Sequence, residues 1–282
     1  MPWQFFLTLS ITAEVFSRLM QRTLLKNDKS DPIAYAVVFQ LFAGVVAFTY
    51  ALFNGFHIPD LAPILPNLIA MPILWSFVNV FIFKSLKLTE ASVFVVLFSS
   101  RAIWTIIGAI IFLNESFSVM QFFGTILIIA SIILVSGKNL KIRLTKGELY
   151  ALGAAVIFAT AVLNDSYLVQ SFDVPSLLTF GFLIPALLIW IFHPRKTKDI
   201  IALIKSPNVP KILLLSVASA TAAITGLLAY TVGENAAQLG AIFQSSTIIT
   251  ILLAIVILKE RSSLGRKVIA GILSFVGVLL IV

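Results

Sequence analysis

Three ionisable side chains sit inside long apolar stretches of this sequence: Glu14, Arg18 and Arg101. Placing a charge in hydrocarbon costs from about 2.5 to more than 10 kcal/mol, so such a residue must be paired or must face a cavity. Glu14 and Arg18 are four residues apart and share a helix face. Two chemistries fit them. One is a structural ion pair; the other is a carboxylate that accepts a proton or binds a substrate amine. Burial raises the pKa of such a carboxyl, and a neighbouring arginine lowers it. Arg101 is a permanent cation whose planar fork suits a carboxylate or a phosphate. Either it contacts substrate or a coupling group, or it locks the bundle by pairing with Glu14 or with helix-end carbonyls.

Arg101 ends a polar triplet, Ser99-Ser100-Arg101, that has a counterpart in Gln244-Ser245-Ser246. All six residues fall near the middle of apolar runs and are expected to line one space with Glu14. The competing reading for the serines is that they bond back to carbonyls of their own helix. The two triplets belong to an internal duplication. Residues 84–115 laid on 229–260 share Ala91/Ala236, Phe98/Phe243, Ser100/Ser245, Ile103/Ile248, Thr105/Thr250, Ile106/Ile251, Ala109/Ala254, Ile110/Ile255, Leu113/Leu258 and Glu115/Glu260. Duplicated membrane bundles with polar groups at midplane are a common build of secondary transporters.

The elements that must hold these groups are legible from hydropathy. The chain has 282 residues, 60% of them hydrophobic and 11% charged, with mean hydropathy +1.06. Apolar runs recur at 3–24, 33–52, 67–83, 92–113, 119–136, 148–169, 176–192, 211–232, 237–258 and 267–282. Each is close to the roughly 20 residues that cross a hydrocarbon core of about 30 Å. The expected fold is an all-α integral membrane protein of ten transmembrane helices, with no room for a soluble domain. The polar stretch from Gly137 to Glu148 divides it into repeats 1–146 and 147–282. Five spans per repeat make the two halves run in opposite directions through the bilayer.

Charge sets the orientation. Of the 20 basic residues, 17 fall after spans one, three, five, seven and nine, and none in the other connections or tails. The positive-inside rule makes the basic loops cytoplasmic and both termini external. The net charge of +8 is therefore a topology signal rather than a nucleic-acid footprint. The first span is not a cleaved signal: it lacks a basic leader, carries Glu14 and Arg18, and ends without a small-residue cleavage site.

Other features read as scaffold. Ala151, Ala155 and Ala159, and likewise Ala218, Ala222 and Gly226, form small-residue stripes that let helices approach closely. Gly124 and Gly271 align between the repeats, and Pro72 and Pro185 interrupt their spans. Asp31-Pro32 and Asp173-Val174-Pro175 are shared punctuation. Glu90 and Glu234-Asn235 precede spans, where acids suit the helix dipole, and Glu115 and Glu260 read as turns. Gln40, Asn79, Asn164 and Asp165 are weaker candidates, and Asn164-Asp165 with Tyr167 reads as a rim or a solvated helix end.

The stretch from Ala91-Ser92 through Leu113-Asn114-Glu115, then Ser118, Gln121 and Gly124, resembles the drug/metabolite transporter superfamily. So does its echo from Ala236-Ala237 to Leu258-Lys259-Glu260, Ser263 and Gly271. Within that superfamily the chain is similar to the ten-span EamA-type carriers. The resemblance implies transport of a small metabolite or drug, and it implies cytoplasmic termini, against the charge count. Ala13-Glu14-Val15 also resembles the first helix of the small multidrug resistance branch, where the glutamate binds protons and cationic drugs in competition. Arg18 departs from that pattern.

The expected function is secondary active export of a small polar metabolite such as an amino acid, coupled to protons. Substrate-contacting residues would be Arg101, Ser99, Ser100, Gln244, Ser245, Ser246 and Glu14, with Glu14 carrying the proton. An organic-cation exporter using Glu14 is the alternative, and a lipid-linked flippase or a non-transport membrane protein the remote ones. An intramembrane enzyme lacks parts: there is no cysteine, both histidines (His57 and His193) fall in loops, and no cluster has metal-ligand spacing. No metal, cofactor or nucleic acid is expected. The partners are the bilayer and a small molecule, in a monomer or a homodimer of the plasma membrane.

Overall fold

A computed structural model of the chain describes residues 2–26, 31–113, 118–138, 141–142, 144–232, 239, 242–243, 245–260 and 262–281. Gln244, Glu115, Glu234 and Asn235 lie outside the described residues. The helices are α1 (Trp3–Lys26), α2 (Pro32–Asn54), α3 (Leu65–Leu88), α4 (Ala91–Phe98), α5 (Arg101–Leu113), α6 (Val119–Ser136), α7 (Lys146–Leu168) and α8 (Val174–Phe192). They continue with a short α9 (Thr197–Ile204), α10 (Val209–Val232), α11 (Ser245–Ile257) and α12 (Leu264–Ile281). A two-residue antiparallel ribbon, Gly137–Lys138 against Lys141–Ile142, sits in the basic joint between the halves.

Among the described residues, seven helical stretches are long and apolar enough to cross a membrane. Val119–Val135 and Ser245–Ile257 are shorter apolar helices. α1 is as long as the others but carries Glu14, Arg18, Arg22 and Lys26. One expected span is divided: the run over 92–113 forms α4 and α5 with a turn at Ser99-Ser100. The reason is local. Ser99 Oγ donates to the Val96 carbonyl at 2.6 Å and Ser100 Oγ to Leu97 at 2.7 Å, and the backbone tightens to three-residue bonds there.

The shared aspartate–proline punctuation caps equivalent helices. Asp31 Oδ1 accepts from Ile33 N at 2.8 Å with Pro32 opening α2, and Asp173 Oδ1 accepts from Ser176 N at 2.9 Å with Pro175 opening α8. Partial burial pushes the Asp31 carboxyl up. The Lys196 ammonium at 2.6 Å and the Ile33 and Ala34 amides outweigh it and hold the pKa below 3.8. α7 opens on a reciprocal capping box, in which Thr145 N donates to Glu148 Oε2 at 2.7 Å and Glu148 N to Thr145 Oγ1 at 3.4 Å.

Packing repeats the duplication. The most extensive helix pairs are α3 on α7, α1 on α10, α2 on α8 and α6 on α12. The first helix of each half thus packs on the third of the other, while second meets second and fifth meets fifth. The α10 stripe lies in one of these seams, where the Ala222 carbonyl accepts from Ser10 Oγ at 2.7 Å. Ala151 and Ala155 on α7 are fully buried, and a side chain at Gly226 on α10 would meet Ser10 Oγ of α1 at 3.0 Å. Pro72 and Pro185 both lie inside their helices, and Ser76 Oγ donates to both of their carbonyls, at 2.6 and 3.2 Å.

Among the described glycines, those of the α6–α12 seam come closest to a neighbouring backbone. A Cβ on Gly124 would stand 2.5 Å from the Gly277 carbonyl oxygen, and one on Gly277 would stand 2.8 Å from that of Gly124. Gly124 therefore packs on Gly277, while Gly271, its counterpart in the repeat alignment, packs on Ile251. Gly124→Ala is expected to destabilise the protein by about 1–3 kcal/mol, because backbone cannot move aside cheaply. Gly265→Ala is the control, since nothing lies within 4 Å of its added Cβ. Equal melting temperatures for the two variants in detergent would contradict this account of the seam.

Candidate functional site

The site begins with a polar stripe on α1. Ser10, Glu14, Ser17, Arg18 and Gln21 recur at three- and four-residue intervals, so one helix face carries all of them. Arg18 Nε donates to Glu14 Oε1 at 2.8 Å, and Arg18 Nη1 to Gln21 Oε1 at 3.2 Å. The stripe faces α10: Ser10 Oγ donates to the Ala222 carbonyl at 2.7 Å, and Ser17 and Ser219 share a hydrogen bond of 2.5 Å.

Arg101 reaches the same place from the break between α4 and α5. Its guanidinium lies 4.7 Å from the Phe98 ring centroid and 4.9 Å from that of Phe158. Arg18 lies 5.5 Å from the same Phe98 ring and 5.6 Å from Phe94. Two guanidinium groups thus share one phenyl ring, whose quadrupole offsets part of their cost in an apolar setting.

These residues border a cavity of about 480 Å³ between the two halves. Glu14, Arg18 and Arg101 form its charged wall, with Gln21, Asn79 and the seam serines Ser10, Ser17 and Ser219 beside them. The remaining walls are apolar, chiefly Phe39, Trp75, Phe158, Phe182 and Phe243. Volume and mixed lining suit a small organic molecule with a few fixed polar contacts. A hollow of about 20 Å³ adjoins it, bordered by Glu14, Arg18 and Arg101 together with Ser99, Ser246 and Thr250.

Of the residues singled out by sequence, Glu14, Arg18, Arg101, Ser99 and Ser246 therefore converge. Ser99 accepts from Ser274 Oγ at 2.5 Å, which ties α12 to the break. Ser100 is buried and spends its hydroxyl on Leu97. Neither Ser100 nor Ser245 is among the described residues lining either space. Sequence reasoning missed Ser10, Ser17, Gln21 and Ser219. The signal for the first three was available, since they continue the Glu14–Arg18 face at helical spacing.

A second polar constellation joins the halves at the end that bears the basic loops. Glu260 is 2% exposed and caps α4, accepting from Ala91 N at 3.0 Å, Ser92 N at 3.1 Å and Ser92 Oγ at 2.7 Å. It also meets Arg22 Nε at 3.4 Å, while Arg22 Nη1 donates to the Leu86 carbonyl at 2.8 Å. Lys267 Nζ donates to the Glu260 carbonyl at 3.0 Å and pairs with Glu90. Two expectations change here. Glu90 occupies the cap position but makes no capping bond, because an acid from the other half already fills the amides. Glu260 is a cross-half cap rather than only a turn, and Arg22, absent from the sequence reading, is its cationic partner.

At the opposite end of α7, Asn164 exchanges hydrogen bonds with Asn67 at 2.9 and 3.0 Å, and Asp165 Oδ2 accepts from Trp75 Nε1 at 2.7 Å. These bonds clamp α7 to α3 and orient a tryptophan that lines the cavity. Among the described residues, no group of three or more His, Cys, Asp or Glu side chains could hold a metal ion.

The model of the EamA-like transporter family matches the chain twice, over residues 1–137 and 145–282. The chain belongs to the EamA-like transporter family. This EamA-like chain matches 24 chains of known structure. One is a protein crystal structure with a TM-score of 0.65 and 15% identity, covering 98% of this chain and 94% of that one. That likeness speaks to the fold. No curated protein matches it. The central cavity thus lies in a multi-pass membrane transporter built from two EamA repeats.

Proposed function

We propose that this EamA-like protein is a secondary active transporter that exports a small polar metabolite bearing a carboxylate, such as an amino acid, in exchange for protons. The observation that carries the proposal is the charged wall of the cavity. Glu14 and Arg18 pair at 2.8 Å, and the three charged side chains that border the cavity, Glu14, Arg18 and Arg101, carry a formal charge of +1. A substrate carboxylate would suit that positive wall, and its amine would approach Glu14. A cationic drug would instead meet two guanidinium groups around one carboxylate.

Alternating access would use ten crossings in two inverted repeats, divided near 146/147, with α1 as a crossing whose charges turn inward. The exchange of first and third helices between halves supports that arrangement. The basic loops would lie in the cytoplasm, with Arg22 and Glu260 joining the halves on that side. They would have to part for the cavity to open there. Proton coupling would fall to Glu14, whose protonation weakens its hold on Arg18 and releases the substrate amine.

Ligand-dependent stabilisation tests the reading. A ligand at about 100 times its Kd raises apparent stability by about 2.7 kcal/mol. Amino acids or carboxylates are expected to raise the melting temperature of purified protein, and quaternary cations to leave it unchanged. Stabilisation by lipophilic cations alone would hand the site to the drug-exporter alternative. In proteoliposomes, Glu14→Gln is expected to transport at a rate that no longer follows pH. A Glu14→Gln profile that still tracks wild type would remove Glu14 as the proton carrier.

A further inference from the structure

The corner between α8 and α9 combines an apolar groove with a concentration of unpaired positive charge. The groove, about 230 Å³, is bordered by Leu187, Trp190, Ile191, Pro194 and Thr197. Leu187 to Ile191 occupy the last turn and a half of α8, so the groove lies within about 8 Å of that helix end. This is the depth at which acyl chains meet headgroups. Trp190 Nε1 donates to Thr197 Oγ1 at 2.9 Å, which ties the end of α8 to the start of α9 at the groove. Ile191 and Phe192 beside it are 71% and 72% exposed, as lipid-facing residues are.

The charge follows directly. Residues 194–211 carry Arg195, Lys196, Lys198, Lys205 and Lys211 against a single acid, Asp199, a net charge of +4. Lys196 is committed, pairing with Asp31 at 2.6 Å and Asp199 at 3.4 Å and so anchoring the corner to α2. Arg195, Lys198, Lys205 and Lys211 are exposed and make no ion pair among the described residues. α9 itself buries Ile200 and Leu203 and exposes Ile201 and Ile204 between Lys198 and Lys205. A short helix with exposed apolar residues flanked by lysines is suited to lie in a membrane interface.

We propose that this corner is a binding site for one anionic phospholipid, with an acyl chain in the Leu187–Trp190–Thr197 groove and the headgroup phosphate on Arg195 and Lys198. The two cations stand next in sequence to Pro194 and Thr197, which form the groove's rim, so chain and headgroup contacts fall within one lipid's reach. Lys205 and Lys211 add attraction from the far end of α9. Basic pockets beside membrane helices recognise anionic headgroups by this combination. The partner's chemistry is specified by both parts: free phosphate would leave the groove empty, and a zwitterionic lipid would leave the charge unmatched.

Native mass spectrometry of the purified protein with phosphatidylglycerol or phosphatidylcholine tests the site. Wild type is expected to retain phosphatidylglycerol over phosphatidylcholine. Arg195→Gln with Lys198→Gln is expected to weaken phosphatidylglycerol retention about thirtyfold, at roughly a factor of five per cation. Leu187→Trp, which fills the groove, is expected to weaken retention with the charges intact. Lys138→Gln with Lys141→Gln, in another basic loop, is the control and is expected to retain wild-type preference. Equal retention of both lipids by wild type, or equal loss in the control pair, would overturn the site. So would a loss that merely follows a lowered melting temperature.

Discussion

Arg101→Ala is expected to reduce transport by a hundredfold or so while leaving a folded protein. Removing one member of a desolvated charge pair costs about 2–5 kcal/mol, or roughly thirtyfold to several thousandfold in affinity. The folding cost is expected to be smaller. It includes the contact of the guanidinium with Phe98 and Phe158, worth about 1–2 kcal/mol in a partly desolvated setting. Arg101→Lys separates charge from geometry, because it keeps the cation but loses the planar fork. Its rate is expected to fall between wild type and alanine. Initial rates in proteoliposomes, read beside melting curves, decide the matter. If lost transport follows lost folded protein in proportion, Arg101 is a structural lock and the carboxylate reading fails.

Glu260→Gln is expected to show the opposite balance: a large loss of stability from a residue that borders neither space. The substitution leaves Arg22 buried without its carboxylate, and breaking such a pair costs about 3–5 kcal/mol. The single carbonyl oxygen of glutamine can still accept from one of the Ala91 and Ser92 amides, so the capping contribution of about 1 kcal/mol is partly kept. Adding Arg22→Leu should recover part of the loss, because it removes the stranded cation and replaces it with an apolar side chain. Thermal denaturation of the two variants is the check. A Glu260→Gln protein as stable as wild type would show that the pair holds nothing together, and a double variant no better than the single would assign the loss to the cap alone.

The helices were largely readable from the residues. The expected runs at 33–52, 119–136 and 176–192 lie within or on α2, α6 and α8, and Asp31 and Asp173 cap the helices whose starts they mark. These features follow from short-range rules: about 20 apolar residues per crossing, and an acceptor for the first free amides. The turn at Ser99-Ser100 leaves no mark on hydropathy, which runs through it and still gives one candidate span, Ala91–Gly108; two adjacent hydroxyls bonding three residues back tighten the helix there. The convergence of Glu14, Arg18 and Arg101 was anticipated from cost, since each needs a partner or a cavity in lipid.

Pairings across the halves were not readable. Glu260 lies 168 positions from Ser92 and 238 from Arg22, and no local pattern links them. The same holds for the packing of Gly124 against Gly277. By itself the sequence determined the membrane class, the duplication, the family and the costly charges, because lipid imposes those rules on any single helix. Only the tertiary structure decided which face of α1 meets α10, which acid caps α4 and where the cavity opens between the halves. Those outcomes depend on how small-residue seams set helix against helix, and that register belongs to pairs of helices rather than to either one.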